Sequence, residues 1–327
     1  MLMSKEKIPV VSVLLPVYNC AEYLTETLFS LLVQTFEDFE VIAINDGSTD
    51  NSLGILNKFA SIDTRIRVVS RENRGIVSTL NEAASLARGK YLARIDGDDI
   101  ALPKRFAMQT EILNTKHSCV LVASTFDVIN ENSEHLYHDS VPTIEADLRM
   151  SMYTRNPIAH GSVMMRKDIF EKIGGYSANC GPTEDYELWQ RMIKHGTVHT
   201  INTSLFRWRV NPTGITSTKS KHVEKFMKNN VNLYWNENPF TVIPRRTLVK
   251  HCRYYLSHDK LHGIATKNTV LRDLANLSVE LAKRGRKVDA AKQAYIIAST
   301  GRTGIKIVWR RLLAPVKFHS RKMLGIR

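Results

Sequence analysis

Between Val10 and Ile95 the chain alternates short apolar runs with stretches of helical spacing, and few folds accept that rhythm. Val10-Val11-Ser12-Val13-Leu14-Leu15, Phe39 to Ile44, Arg65 to Val69 and Tyr91 to Ile95 read as strands. Ala21 to Gln34, Asp50 to Ala60 and Gly75 to Ala87 read as the helices between them; in the first, Leu24, Leu28, Leu31 and Leu32 share one face. Near-continuous apolar strands separated by single helices predict an α/β fold, with a mostly parallel, Rossmann-like sheet flanked by helices. Ligands of such sheets bind beyond the carboxyl ends of the strands. The polar clusters of this chain fall at those ends.

After Pro103, placed at the first turn of a helix, the rhythm loosens. Cys119 to Ala123 and Gly161 to Met165 read as strands, Asp127 to His138 as a hairpin or loop insertion, and Glu184 to Lys194 as a helix. Thr197 to Val210 supplies one or two further strands. Two regions are expected: a catalytic domain over 1–225, and a basic, mainly helical extension over 226–327 with Leu271, Leu274, Leu277 and Leu281 on one face. Charge supports the division. Residues 241–327 hold 20 of the 46 Lys and Arg but only 4 of the 32 Asp and Glu, a net of +16, so the chain's +14 resides there. No apolar run reaches the ~18 residues of a membrane span, and the polar start lacks the apolar core of a signal peptide. Four widely spaced cysteines suggest a reducing compartment, hence a cytoplasmic protein.

Four strand-end clusters carry chemistry. Pro16-Val17-Tyr18-Asn19 offers an aromatic ring and an amide, suited to a planar base but equally to a turn. Asn45-Asp46-Gly47-Ser48-Thr49-Asp50 places a carboxylate beside a tight turn, where it can meet nucleoside hydroxyls or an imide; Ser48 or Thr49 can cap the next helix. Arg71-Glu72-Asn73-Arg74-Gly75 puts a guanidinium and a glycine at a helix N-terminus, a natural anion site. Asp96-Gly97-Asp98-Asp99 clusters carboxylates, which are costly unless something positive meets them. Mg²⁺ or Mn²⁺ suits such oxygen ligands, although the same residues also make ordinary solvated turns.

The order of these motifs, with Thr183-Glu184-Asp185-Tyr186-Glu187-Leu188-Trp189 downstream, resembles glycosyltransferase family 2, of GT-A fold, over roughly residues 8–215. The resemblance implies an inverting transfer from a nucleotide diphosphate sugar, usually a UDP sugar, assisted by Mn²⁺ or Mg²⁺. Pro16, Tyr18, Asn19, Asp46 and Ser48 would line the nucleoside pocket, Arg74 would lie near the nucleoside or diphosphate, and Asp96 near ribose or metal-bound water. Asp98 would bind the metal and Asp185 would be the general base, with Glu184 its nearest rival. His160, Glu184 and Arg209 would border the donor or acceptor pocket, Arg209 as a phosphate contact. Many relatives carry a histidine shortly after an arginine near position 211, where this chain has Asn211.

No Gly-X-Gly-X-X-Gly follows the first strand and no Walker-type loop is present, which disfavours dehydrogenases and P-loop enzymes. The alternatives are a binding protein that keeps the sugar-nucleotide pocket without transfer and uses its basic tail for anionic lipid or nucleic acid, and a nucleotidyltransferase on a similar fold. The tail mixes basic residues with apolar ones, as in Trp309-Arg310-Arg311-Leu312-Leu313-Ala314-Pro315-Val316-Lys317-Phe318. That composition suits an anionic membrane surface and leads to an expectation of peripheral attachment to the inner face of the cell membrane, with a glycan or lipid-linked acceptor. A nucleic-acid partner is not expected, because no recognised binding module is present in the tail.

Overall fold

The computed structural model describes residues 7–211, 226–227, 230 and 260–298. The chain divides into two compact units, residues 1–139 with 158–230, and residues 140–157 with 231–327.

The first unit is built on a nine-stranded mixed sheet. β1 (Val11–Val17), α1 (Ala21–Leu32), β2 (Phe39–Asp46), α2 (Ser52–Ile62), β3 (Ile66–Arg71), α3 (Ile76–Leu86) and β4 (Tyr91–Arg94) follow the expected alternation. β3, β2, β1 and β4 lie side by side, all parallel, with Val13 of β1 opposite Val41 and Ala93. Every residue of β1 and β2 is buried, as covered parallel strands require. Leu24, Leu28 and Leu31 of α1 are buried in the core.

Beyond β4 the sheet becomes mixed. β5 (Ile100–Ala101), α4 (Arg105–Thr115), β6 (Cys119–Ile129) and β7 (His135–Asp139) precede β8 (Met164–Arg166), α6 (Lys167–Lys172), α7 (Glu184–Met192) and β9 (Thr197–Arg209). β8 runs antiparallel between β4 and β6, β9 runs parallel to β6, and β5 pairs antiparallel with β9. The region 127–138 is a hairpin, β6 to β7, and 197–209 is one long strand. The stretch read as a strand from Gly161 opens instead with a 3-10 turn, His160–Ser162.

The edge opposite the site is pinned by a buried polar cluster. Ser12 Oγ donates to Glu40 at 2.7 Å and accepts from the Gly89 amide at 2.8 Å, and Glu40 also accepts from the Arg88 amide and guanidinium. Those bonds fix β1 against the chain entering β4.

In the second unit, α5 (Glu145–Ser151) packs on α8 (Lys260–Lys283), which packs on α9 (Lys287–Ala298). Leu271, Leu274, Leu277 and Leu281 are fully buried, so the leucine face of α8 is a packing face. Asp273 is buried beside it; Arg155 meets both its oxygens at 2.9 Å and Ser151 Oγ donates at 2.8 Å. Among the described residues no helix is long and apolar enough to cross a membrane. The basic segment Trp309 to Phe318 lies outside the described residues.

Candidate active site

The carboxyl ends of β1 and β2 are laced together by short polar side chains. Asn19, held at φ +49°, donates its amide N–H to Ser48 Oγ at 3.1 Å and accepts from the Thr49 amide at 2.8 Å. Asp50 accepts from the amides of Ala21 and Ser52, both at 2.9 Å. Asp50, rather than Ser48 or Thr49, therefore satisfies the start of α2. Pro16 is buried at the end of β1, while Tyr18 stands 54% exposed, its ring free to receive a planar group.

Asp46 closes the next loop. Its buried carboxylate pairs with Arg71 and accepts from the amides of Arg74 at 2.8 Å and Gly75 at 3.0 Å. Arg71 also reaches Glu82 at 2.6 Å and Thr79 Oγ1 at 2.9 Å. Arg71 is thus the inward arginine of its motif, and Arg74 is exposed beside the same loop. Gly47 makes the close approach possible. Its φ is +74°, and a Cβ there would sit 2.7 Å from the Asn73 nitrogen.

The aspartate cluster follows β4. Ligand oxygens of Asp96, Asp98 and Asp99 lie within 4.8 Å of one another. Asp96 is paired to Arg94, a buried cation inside the apolar strand. Asp99 is buried; its Oδ1 accepts from the Arg209 amide at 2.8 Å. Asp98 receives Asn211 Nδ2 at 3.1 Å on Oδ2, so the position where relatives carry a histidine does reach the cluster. Burial, and then the charge of Asp96, push Asp98 above the usual carboxylate range. Burial, then Asp98 and Asp96, push Asp99 well above it. Three carboxylates this close, one of them buried, with an amide beside them, are a donor set that a hard divalent cation fits.

Arg209 is not placed to meet a phosphate. It is 2% exposed, and its guanidinium donates to the carbonyls of Asp98 at 2.8 Å, Asn130 at 3.1 Å and Glu131 at 3.2 Å, to Ser133 Oγ at 2.9 Å and to Glu26 at 2.5 Å. The Tyr23 ring covers it at 4.6 Å. Arg209 bolts the aspartate loop to the β6–β7 turn.

The third wall is the start of α7. Glu184 is 8% exposed and pushed up to about 7, first by burial and then by Asp185. Its Oε1 lies 3.7 Å from His160 Nδ1, whose Nε2 pairs with the Tyr176 hydroxyl at 2.7 Å. The Trp189 ring stands edge-on to His160 at 5.8 Å. Burial, aided by Arg94, holds His160 well below its usual range, so the imidazole is neutral. Tyr176 is buried and held far above its usual range; it lies within the fields of Arg94, Glu184, Asp185 and Asp96. Carboxylates from both walls therefore act electrostatically on one buried phenol. Asp185 accepts the Tyr186 amide at 2.6 Å.

No motif in the sequence gives Arg94, Tyr176 or Trp189 a role. One signal was available: an arginine inside the apolar run Tyr91 to Ile95, two residues before an aspartate.

A sheet of this order, with aspartates at the end of its fourth strand and a Glu-Asp pair opening a later helix, belongs to nucleotide-sugar transferases of GT-A type. The Glycosyl transferase family 2 profile matches residues 12–174, and the chain belongs to that family. The putative glycosyltransferase EpsE of Bacillus subtilis is 32% identical over 196 residues, covering 58% of this chain and 68% of that protein. S. aureus TarS residues 1–349, solved with UDP-GlcNAc, superposes with a TM-score of 0.58 at 16% identity, covering 89% of this chain and 91% of that one. The mannosyltransferase PcManGT of Pyrobaculum calidifontis, solved with GDP-Man and Mn²⁺, superposes with a TM-score of 0.52 at 19% identity, covering 94% and 89%.

Proposed function

We propose that this glycosyltransferase moves a sugar, with inversion, from a UDP sugar to a glycan or lipid-linked acceptor in surface polysaccharide or glycolipid synthesis. The observation that carries this reading is the pairing of walls at one sheet edge: an aspartate cluster at the end of β4, and Glu184-Asp185 at the start of α7, both acting on Tyr176. The relatives support it. TarS was solved with a UDP sugar and PcManGT with a nucleotide sugar and Mn²⁺.

Tyr18 offers a face on which a base stacks, and Asp46, oriented by Arg71 and two amides, accepts from the base edge. Arg74 supplies positive charge at the N-terminus of α3. Asp98, with Asn211 beside it, would hold a divalent cation, and Asp96 would contact ribose. When bound, that cation offsets negative charge growing on the leaving diphosphate. Asp185 takes the proton of the acceptor hydroxyl as it attacks the anomeric carbon, and one displacement inverts that centre. His160 and Glu184 form the wall behind it. The basic C-terminal region is proposed to hold the enzyme at an anionic membrane, where a lipid-linked acceptor resides.

The deciding measurement is thermal stabilisation by UDP, GDP and their common sugars, with Mn²⁺, Mg²⁺ or chelator. UDP compounds with metal should raise the melting temperature, and Asp98→Ala should remove the metal-dependent part. Equal stabilisation in chelator, unchanged by the substitution, refutes the metal assignment. Vesicle sedimentation at low salt tests the membrane reading; equal recovery with neutral and anionic lipid would reject it.

A further inference from the structure

β4 and β8 pair as far as Ala93 and Met164, and the Arg94 amide then donates to the Val163 carbonyl at 3.2 Å. Beyond that bond the two chains part. One runs into the aspartate loop, and the other comes from the 3-10 turn that begins at His160. The ladder supplies no further partners there, and buried carbonyls need them. Two side chains of α4 meet that need. Arg105 and Gln109, four residues apart on one helix face, are both 0% exposed. Arg105 Nη2 donates to the carbonyls of Arg94 at 2.8 Å and Val163 at 3.0 Å. Its Nε donates to Gln109 Oε1 at 3.2 Å. Gln109 Nε2 donates to the Ser162 carbonyl at 2.7 Å and to the Val122 carbonyl of β6 at 3.3 Å.

A guanidinium is seldom fully buried unless it is well bonded. Burial pushes Arg105 down to about 9, with the charge of Asp99 opposing, so it remains a cation at neutral pH. Apolar residues at 105 and 109 could fill the same core, but they would offer these carbonyls nothing. The turn is also pressed directly onto the loop. A Cβ on Gly161 would stand 3.1 Å from Asp99 Oδ2 and closer still to the Phe206 ring. From the other side, the Arg209 amide holds Asp99 and its guanidinium holds the Asp98 carbonyl.

We propose that Arg105 and Gln109 form a buried bracket that locks the aspartate loop to the His160 turn, so that these two walls respond to a bound nucleotide as one body. Both are positioning residues, since neither is exposed to a ligand. The bracket is read from its own hydrogen bonds; its part in sugar transfer rests on the reading of this edge as a nucleotide-sugar site. Arg105 holds the root of the aspartate loop, and Gln109 gives the turn its shortest link to α4. A ligand drawn against Asp98 therefore restrains the turn as well as the loop.

The test is amide hydrogen exchange on the full chain, free and with UDP and Mn²⁺. Gln109→Leu keeps the bulk and removes both donors and the acceptor. In the free protein it should speed exchange of the Arg94 and Ser162 amides by about tenfold or more, the equivalent of one buried hydrogen bond, and leave β1 and β2 unchanged. Leu113→Ala is the control: it loosens the packing of a fully buried α4 residue without touching the bracket. With UDP and Mn²⁺, the natural chain should gain protection over both 95–100 and 158–165. In Gln109→Leu the first should persist and the second should be lost. Gln109→Met, with a more pliable side chain, serves if the leucine variant does not fold. Unchanged exchange of the two amides in the free variant, equal acceleration in Leu113→Ala, or ligand protection of 158–165 that survives Gln109→Leu overturns the proposal. Failure of UDP with Mn²⁺ to protect any segment of the natural chain defeats the nucleotide-sugar reading and, with it, the coupled response; the free-protein comparison still judges the bracket.

Discussion

Replacing Glu184 by glutamine should change how stability depends on pH. Glu184 is pushed from 4.5 up to about 7 in the folded chain, and it is 8% exposed, so solvent screening takes little from the effect. The folded state holds this proton more tightly than the unfolded state does. The contribution is therefore fully present below pH 4.5 and is lost as pH rises through 7. The difference of roughly 2.5 units, at 1.36 kcal/mol each, amounts to about 3 kcal/mol. Glutamine keeps the shape and remains neutral at every pH. The stability of the natural chain relative to Glu184→Gln should thus fall by about 3 kcal/mol between pH 4.5 and pH 8. Urea unfolding at several pH values, followed by tryptophan fluorescence, reads this directly, since Trp189 is buried against His160. Parallel stability curves for the two proteins would refute the buried neutral acid, and a difference rising with pH would show that Arg94 dominates.

Asp185→Asn should leave UDP affinity within about twofold and reduce turnover by at least about 100-fold, because a base acts only on the acceptor proton; steady-state kinetics and calorimetry separate the two. Arg209→Lys should cost about 2 kcal/mol or more, measured by urea unfolding, because an ammonium cannot replace a fork spanning three carbonyls, a hydroxyl and Glu26. The same variant should bind Mn²⁺ with UDP more weakly, since the Asp98 carbonyl loses its anchor. Gly47→Ala should destabilise by at least about 1 kcal/mol from its positive φ alone, with the contact to the Asn73 nitrogen adding to it. Asp273→Ala should cost about 3 kcal/mol, because Arg155 and Ser151 lose a buried acceptor.

The parallel half of the sheet was legible because each strand there is buried on both faces, and such strands must be apolar throughout. β1 and β2 state their role in composition alone. The mixed half was less so. β5 is two residues long and earns its place by pairing with β9, and no local pattern marks a strand of that length. The 3-10 turn at His160 was read as the beginning of a strand because Gly161 adjoins an apolar run. Its glycine answers a tertiary demand: a Cβ would collide with the Phe206 ring and lie 3.1 Å from Asp99.

The same distinction governs the site. Motif residues with a backbone partner nearby, such as Asp46 and Asn19, could be placed by sequence because the loops that hold them are local to a strand end. What sequence could not decide is which of two like residues turns inward. Arg71 and Arg74 stand three apart, and only the position of Asp46 selects Arg71 for the ion pair and leaves Arg74 exposed. The family resemblance implied a phosphate contact for Arg209; it is instead claimed by carbonyls from the β6–β7 turn, some 80 residues earlier. Glu184 and Asp185 pose the sharpest case. They are adjacent acids of nearly equal chemistry, and their difference lies in what the third dimension sets against them: a neutral imidazole and a phenol for one, a backbone amide for the other. Burial lifts the Glu184 carboxyl above its usual range, and that burial is written in the packing of His160, Tyr176 and Trp189 rather than in the motif.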